Sequence, residues 1–358
     1  MPCALGPDEF DPQSWKDTNI FMAEEIIPGL YRIAIMHPRS SPKRVNVYAV
    51  LGPAGVRLID CAWNTAEAYE ALVNELHEIG VQVGDIREIL VTHNHTDHIG
   101  LTERLVQESG ARLLMHRLDA RYLRFSREEL ESRRAAWLAW LRSGGMPADE
   151  LEAIINQGRR MSMQMPTFWP DVLLEGGEQL DWSPFHFEVI WTPGHSAGLV
   201  CLYEPQRALL ITSDHVLEHI SPHIGRSDEP DGDALGDYLR SLQAVRNLPA
   251  RFVLPGHGRP IANLAARVDE LEEHHQRRLE EVLRVLAEDE QTAYDIAGNL
   301  SWKRAQDGWQ RLSLFERSSA LDETCSHLDY LVKRQQVSRQ LQDGVTVYQR
   351  SAKLPVDA

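Results

Sequence analysis

Six residues constrain this chain more than any other stretch of it: His93-Asn94-His95-Thr96-Asp97-His98. Three imidazoles and a carboxylate do not crowd into so short a run without something to bind, because a buried polar group lacking a partner costs free energy. Imidazole and carboxylate donors suit divalent cations, zinc foremost. The preceding Ile86-Arg87-Glu88-Ile89-Leu90-Val91 is mostly apolar and reads as a buried strand. The run therefore starts where a strand ends, a rigid place from which to aim ligands. His93 and His95, two residues apart, can point at one metal, and Asp97 and His98 can turn towards a second.

Three later stretches repeat this layout, each beside a strand-like segment. Thr192-Pro193-Gly194-His195-Ser196-Ala197-Gly198 follows Phe187 to Trp191. Ile211-Thr212-Ser213-Asp214-His215 continues Leu209 to Thr212. Leu254-Pro255-Gly256-His257-Gly258 closes the strand-like Phe252 to Leu254. Taken in this order, the four motifs resemble those of the metallo-β-lactamase superfamily of binuclear metallohydrolases. One position departs from the pattern. Ser213 stands where the family usually has glycine, which should alter the local turn without removing a ligand. A lone loop histidine is ordinarily a polar surface residue, but four motifs in order with no ligand missing are not explained that way.

The resemblance implies an α/β fold, the αβ/βα sandwich of the family. It implies that His93, His95 and His195 hold a first metal, that Asp97, His98 and His257 hold a second, and that Asp214 bridges the two. The implied cofactor is a pair of Zn2+ ions, with iron or manganese also compatible because ligand preferences overlap. Two dications facing only two carboxylates keep a net positive charge. A bridging water then ionises near neutral pH and acts as the nucleophile, while the metals polarise a carbonyl or phosphoryl oxygen. Asp97 and Asp214 are thus the implied catalytic residues, Asp97 with an added role in passing a proton to the leaving group. Asp60 ends the apolar Val56-Arg57-Leu58-Ile59 and matches the aspartate that the family places beneath the metals, where it would fix a ligand imidazole; a simple strand-end cap is the alternative. Cys61 and Thr92 could support the site, and ordinary packing explains them equally well.

With 358 residues, 43% of them hydrophobic, the chain can bury one large core and carry an appended module. The four cysteines, Cys3, Cys61, Cys201 and Cys325, are far apart and form no Cys-x-x-Cys pair, which argues against a disulfide framework. Met1 to Phe21 lacks the basic start and apolar core of a secretion signal. No apolar run is long enough to span a bilayer. The expected compartment is the cytoplasm of a prokaryote. The formal net charge of -16 repels phosphate backbones and weighs against a nucleic-acid partner. The expected partner is a small-molecule substrate, without a membrane, and a homodimer is left open.

The expected division places a catalytic domain over residues 1–262, with a helical insertion over 119–180 that roofs the site, and a C-terminal module over 263–358. Thr65 to Gly80 reads as an amphipathic helix ending at a glycine cap. In the insertion, Ser126-x-x-Glu129 predicts a capping box opening a helix to Leu141, and Asp149 to Arg160 reads as a second helix. Met163, Met165, Phe168 and Trp169 precede the return to the sheet and are candidates for a substrate wall; holding the insertion in place is the alternative. His219 and His223, in the loop after Asp214, are candidates for substrate contact or proton transfer. Tyr238, on a helix over Leu235 to Asn247, is a candidate oxyanion donor, although its spacing also fits core packing. The last stretch reads as a long charged helix (Leu264 to Glu288), short helices at Thr292–Ala297 and Ala320–Arg334, and a hairpin over Gln336–Gln349 turning at Asp343-Gly344. Helices followed by a two-stranded wing look like a winged helix, a combination resembling the β-lactamase-like-protein-2 branch of the superfamily. Asp322, Glu323 and Asp329 make that helix a poor phosphate reader and suit packing.

Three functions compete. The apolar insertion and acidic surface favour a binuclear zinc hydrolase of small esters: a lactonase, thioesterase or aryl esterase with some phosphotriesterase activity. An endoribonuclease or phosphodiesterase would use the same metal centre but fits the charge poorly. A non-enzymatic binding module with a vestigial site is hard to square with seven intact ligands.

Overall fold

The computed structural model describes residues 23–37, 42–123, 125–158, 168–229, 231–286, 289–302 and 308–351. Met163 and Met165 lie outside the described residues. The fold is α/β, and the described residues form two compact units. The first draws on Met1–Arg124, Pro166–Pro222 and Arg240–Glu270, and the second on Phe125–Met165, His223–Leu239 and Leu271–Ala358. The helical insertion therefore clusters with the C-terminal stretch.

Two sheets dominate the first unit. One holds seven strands in sequence order: β1 (Glu24–Ile27), β2 (Leu30–Met36), β3 (Arg44–Gly52), β4 (Gly55–Ile59), β5 (Ile86–Val91), β6 (Arg112–His116) and β7 (Val172–Leu174). The other holds β8 (Gln179–Trp182), β9 (Phe185–Trp191), β10 (Val200–Glu204), β11 (Leu209–Ser213) and β12 (Phe252–Pro255), ordered β12-β11-β10-β9-β8. Successive side chains of a strand point to opposite faces, and the sequence uses both. In β3 to β6, Tyr48, Val50, Ile59, Leu90 and Leu114 share one buried cluster with Phe185, Phe187, Leu202, Ile211 and Leu254 of the other sheet. Val47, Leu58, Ile89 and Met115 point the other way, into a cluster with Leu72, Leu76 and Leu105. Those last residues belong to α1 (Ala66–Glu78) and α3 (Thr102–Ser109), between which lies the short α2 (Thr96–Ile99). The α1 start is capped by Thr65, whose hydroxyl accepts from the Ala68 amide, and its buried Ala68, Leu72 and Leu76 recur every fourth residue.

Strands β4, β5, β6 and β7 run parallel, as do β11 and β12. Parallel neighbours end at the same sheet edge. Asp60, His93 and the short α4 (Arg117–Ala120) therefore emerge together, and so do Asp214 and His257.

The second unit contains α5 (Arg127–Ser143), opened by the Ser126–Glu129 capping box, and α6 (Ala148–Gly158). It also takes in parts of α7 (Ala234–Arg246) and α8 (Leu264–Val285), then α9 (Ala293–Asn299) and α10 (Leu314–Lys333). A three-stranded sheet closes it, ordered β13 (Gln291–Thr292), β15 (Val345–Arg350), β14 (Val337–Gln342). The hairpin turns at Asp343-Gly344, both at positive φ. Two features differ from expectation. Helix α10 starts at Leu314 rather than Ala320, on a Ser313–Glu316 capping box. Its first turn carries Phe315, 78% exposed, so amphipathic spacing gives no signal there. The hairpin also gains β13 as a third strand, too short to leave a period. A cavity of about 630 Å3 lies in this unit, lined in part by Trp140, Arg226, Cys325, Asp329 and Tyr348. No helix among the described residues is long and apolar enough to cross a membrane.

Candidate metal centre

All seven residues expected to bind metal come together at the strand ends of the first unit. Three sets each place their donor atoms within 4.8 Å of one another: His93, His95 and His195; His93, His98 and Asp214; Asp97, His98 and His257. His93 and His98 each belong to two sets. Asp214 sits among them, its Oδ2 3.6 Å from His195 Nε2 and 3.3 Å from His257 Nε2, and its Oδ1 3.6 Å from His98 Nε2. Asp97 Oδ2 lies 3.3 Å from His257 Nε2.

The donor set fits divalent cations on more than identity. A ligating imidazole usually binds metal with one nitrogen while protein holds the other. Here His98 Nδ1 donates to Asp60 Oδ2 at 2.7 Å, His93 Nδ1 meets the Thr92 hydroxyl at 3.1 Å, and His257 Nδ1 donates to the Arg44 carbonyl. The inward nitrogen of His98 and the inward Oδ1 of Asp214 are buried with no hydrogen-bond partner among the described residues. Gly256 leaves room for this arrangement: a Cβ there would land on Asp214 Oδ1 and lie 2.9 Å from His98 Cε1.

Charge points the same way. Burial and the neighbouring His98, His95 and His195 push His93 well below the usual histidine pKa, and burial with His195 brings His95 to about 3. Burial also opposes a proton on His98 and His257, but Asp214 and its companion carboxylates outweigh it, raising His98 and bringing His257 to about 10. For Asp214 and Asp97 burial works against ionisation, and the imidazoles overcome it; Asp97 drops to about 2. The enclosed carboxylates demand positive charge, which cations can supply in place of imidazole protons.

Asp60 does what an orienting carboxylate requires. Besides His98, it accepts from the Thr92 amide at 2.8 Å and the Thr92 hydroxyl at 2.9 Å. It holds a left-handed φ of 63°, a strained conformation for a residue other than glycine and one that surrounding bonds must sustain. Ser213 shows what replaces the family glycine. Its φ is 46°, the region glycine favours, and its hydroxyl meets that of Thr92 at 2.7 Å. Serine keeps the turn and adds a bond to the network behind the ligands. Cys61 meets Thr102 at 3.2 Å and Cys201 meets Thr192 at 3.3 Å, both as buried free thiols.

Residues not anticipated from sequence also build the site. The Asn46 side-chain amide donates to the carbonyls of Pro255 and Gly258, at 2.8 and 3.0 Å, and Tyr48 donates to Pro255 at 2.7 Å. These bonds fasten the His257 loop to β3. His215 is fully buried, and burial pushes it down to about 4. The Ser241 hydroxyl donates to Pro193, in the His195 loop. Asp119 is fully buried and bonded to the loops of His95 and His195.

Among the described residues, the metal-capable sets include none of the candidate substrate residues. Phe168 packs against the core that includes α1 and α3. Trp169 is part-exposed, at 38%. His219 pairs with Glu218 at 2.9 Å and stays open to solvent. His223 and Tyr238 belong to the second unit, where His223 bonds to Asp322 at 3.1 Å and Tyr238 lies fully buried, edge-on to His275.

Residues 41–257 match the description of the metallo-beta-lactamase superfamily, well over half the chain. The chain belongs to this superfamily. A relative from Bacillus subtilis (strain 168), called "Probable metallo-hydrolase YqjP", is 27% identical over 318 residues, covering 86% of this chain and 94% of its own. A solved metallo-beta-lactamase family protein from Thermus thermophilus is 31% identical with a TM-score of 0.76, covering 90% of this chain and 99% of its own. A beta-lactamase domain protein from Burkholderia ambifaria shares the fold, with a TM-score of 0.72 at 24% identity over 92% of this chain and 95% of its own. Superfamily membership and the His/Asp clusters together make this a metallohydrolase with candidate divalent-metal ligands.

Proposed function

We propose that this protein is a binuclear zinc hydrolase of small ester-type substrates: lactones, thioesters or aryl esters, with phosphotriesters as side substrates. The observation that carries the reading is the position of Asp214, whose carboxylate reaches His98, His195 and His257 between overlapping ligand sets. In this reading His93, His95 and His195 hold one cation, Asp97, His98 and His257 hold the other, and Asp214 serves both. When bound, the cations supply Lewis acidity and lower the pKa of water from about 15.7 to about 7.

The chain's own groups do the rest. Asp60 and the Arg44 carbonyl keep the outer nitrogens of His98 and His257 engaged, so that their inner nitrogens face the centre. Asp97 is the more open of the two inner carboxylates, its side chain 17% exposed against 8% for Asp214. In this reading it takes up the proton that the attacking water gives up and passes it to the leaving group. The net charge of -16 favours small neutral substrates over phosphodiester polymers.

The test is a rate comparison with purified, zinc-loaded protein on a lactone, a thioester, an aryl ester, a phosphotriester, a phosphodiester and a structured RNA. Preference for the carboxyl esters and the phosphotriester supports the reading. Preference for the phosphodiester or RNA replaces it with a nuclease.

A further inference from the structure

Asp119 sits in α4, fully buried, and belongs to none of the ligand clusters. Its Oδ2 accepts from the Asn94 amide at 2.9 Å and from the Ser196 hydroxyl at 2.7 Å, and its Oδ1 accepts from the Gly198 amide at 2.6 Å. Asn94 lies between the ligands His93 and His95. Ser196 and Gly198 follow the ligand His195. One carboxylate thus joins the two loops that together make the first cluster, 77 residues apart from Ser196 in sequence and 25 from Asn94.

The approach is close enough to dictate a neighbour. A Cβ on residue 198 would lie 2.7 Å from the Asp119 amide nitrogen and 2.8 Å from its Oδ1. Only glycine lets the amide at 198 reach the carboxylate. The remaining ligands are held by other groups: Asp60 holds His98 and the Arg44 carbonyl holds His257. Among the described residues, Asp119 makes no hydrogen bond to Asp97, His98 or His257.

Building on the metallohydrolase reading, we propose that Asp119 is a positioning residue that sets the cation affinity of the His93, His95 and His195 cluster and leaves the Asp97, His98 and His257 cluster unchanged. The ligands of the first cluster ride on two separate loops. Without the shared acceptor each loop relaxes by itself, and three donors no longer converge before the cation arrives. Loss of a group that orients ligands typically costs about 10–100-fold in metal affinity.

The experiment is zinc titration of the full chain against a chromophoric chelator, with cobalt(II) spectra as a second readout. Wild type, Asp119→Ala, Asp119→Asn, Ser196→Ala and Gly198→Ala are compared. Wild type binds two equivalents. Asp119→Ala keeps one at wild-type affinity and weakens the other by about 10–100-fold, and its cobalt spectrum loses the contribution of one site. Asp119→Asn falls between, because its amide retains one acceptor oxygen. Ser196→Ala and Gly198→Ala weaken the same equivalent. The proposal is overturned if both equivalents weaken together or if neither weakens. Should Asp119→Ala fail to fold, Asp119→Asn and Ser196→Ala decide by the same criterion. Wild type that binds no divalent cation overturns the metallohydrolase reading itself, and this proposal with it.

Discussion

Both units bury histidines completely, and they use them differently. In the first unit His93 and His98 share ligand sets with carboxylates, and their outer nitrogens are bonded so that inner donors converge. In the second unit His275 and His327 are equally buried. There His327 Nδ1 can only donate to the Glu323 carbonyl, 2.8 Å away, so its Nε2 accepts from His275 Nδ1 at 3.2 Å. The two rings form a chain ending on backbone. Burial drives both towards the neutral form, His327 to about 4. Among the described residues every metal-capable set lies in the first unit. What separates the candidate metal centre from this core histidine pair is thus three or more donors converging on one another, not burial.

The comparison can be broken from the largest effect downwards. Asp214→Ala removes the carboxylate common to both sides of the centre. It should lower hydrolysis by about 1,000-fold or more, equivalent to several kcal/mol of transition-state stabilisation, and reduce bound metal; full activity in this variant would end the binuclear account. Asp60→Ala frees the outer nitrogen of His98 and should cost about 10–100-fold in metal affinity, measured by chelator competition. Gly256→Ala pushes a methyl onto Asp214 Oδ1 and should cut kcat/KM in the same range as Asp60→Ala, while far-UV circular dichroism stays unchanged.

The second unit should behave in the opposite way. His327→Leu leaves His275 without its acceptor, a loss of about 1–3 kcal/mol in stability, and should leave metal content intact. A fall in bound metal would show that the two histidine groups are not as different as their geometry indicates. The smallest effect is a pH dependence of that same difference. His327 has a folded pKa of about 4 and an unfolded one of about 6.5, so between these values the unfolded chain binds more protons. Its contribution is full above about pH 6.5 and declines as pH falls towards 4. The gap in melting temperature between wild type and His327→Leu should narrow over that window.

Much of the first unit was legible because each ligand follows a strand within a motif of a few residues. Asp60, at the end of Val56–Ile59, was readable for the same reason. The groups that fix the ligands were not. The Arg44 carbonyl lies 213 residues from His257 and has no side-chain signature. Asn46 and Tyr48 act from the start of β3, where their spacing looks like ordinary strand alternation. Asp119 stood at the expected start of the insertion and carried no motif, because its partners Asn94, Ser196 and Gly198 come from two other loops. The second unit hid more. His223 and Tyr238 follow the Asp214 motif in sequence, and nothing in that motif pointed to their contacts with Asp322 and His275.

The central claim is that these seven side chains hold two divalent cations that carry out hydrolysis. It is tested most directly by metal stoichiometry on the purified full chain, measured by elemental analysis beside the ester-hydrolysis rate of the same samples. The account predicts two cations per chain in wild type, with metal and rate falling together in Asp214→Ala. A wild type that hydrolyses esters with no bound metal, or an Asp214→Ala variant that keeps both metal and rate, would contradict it.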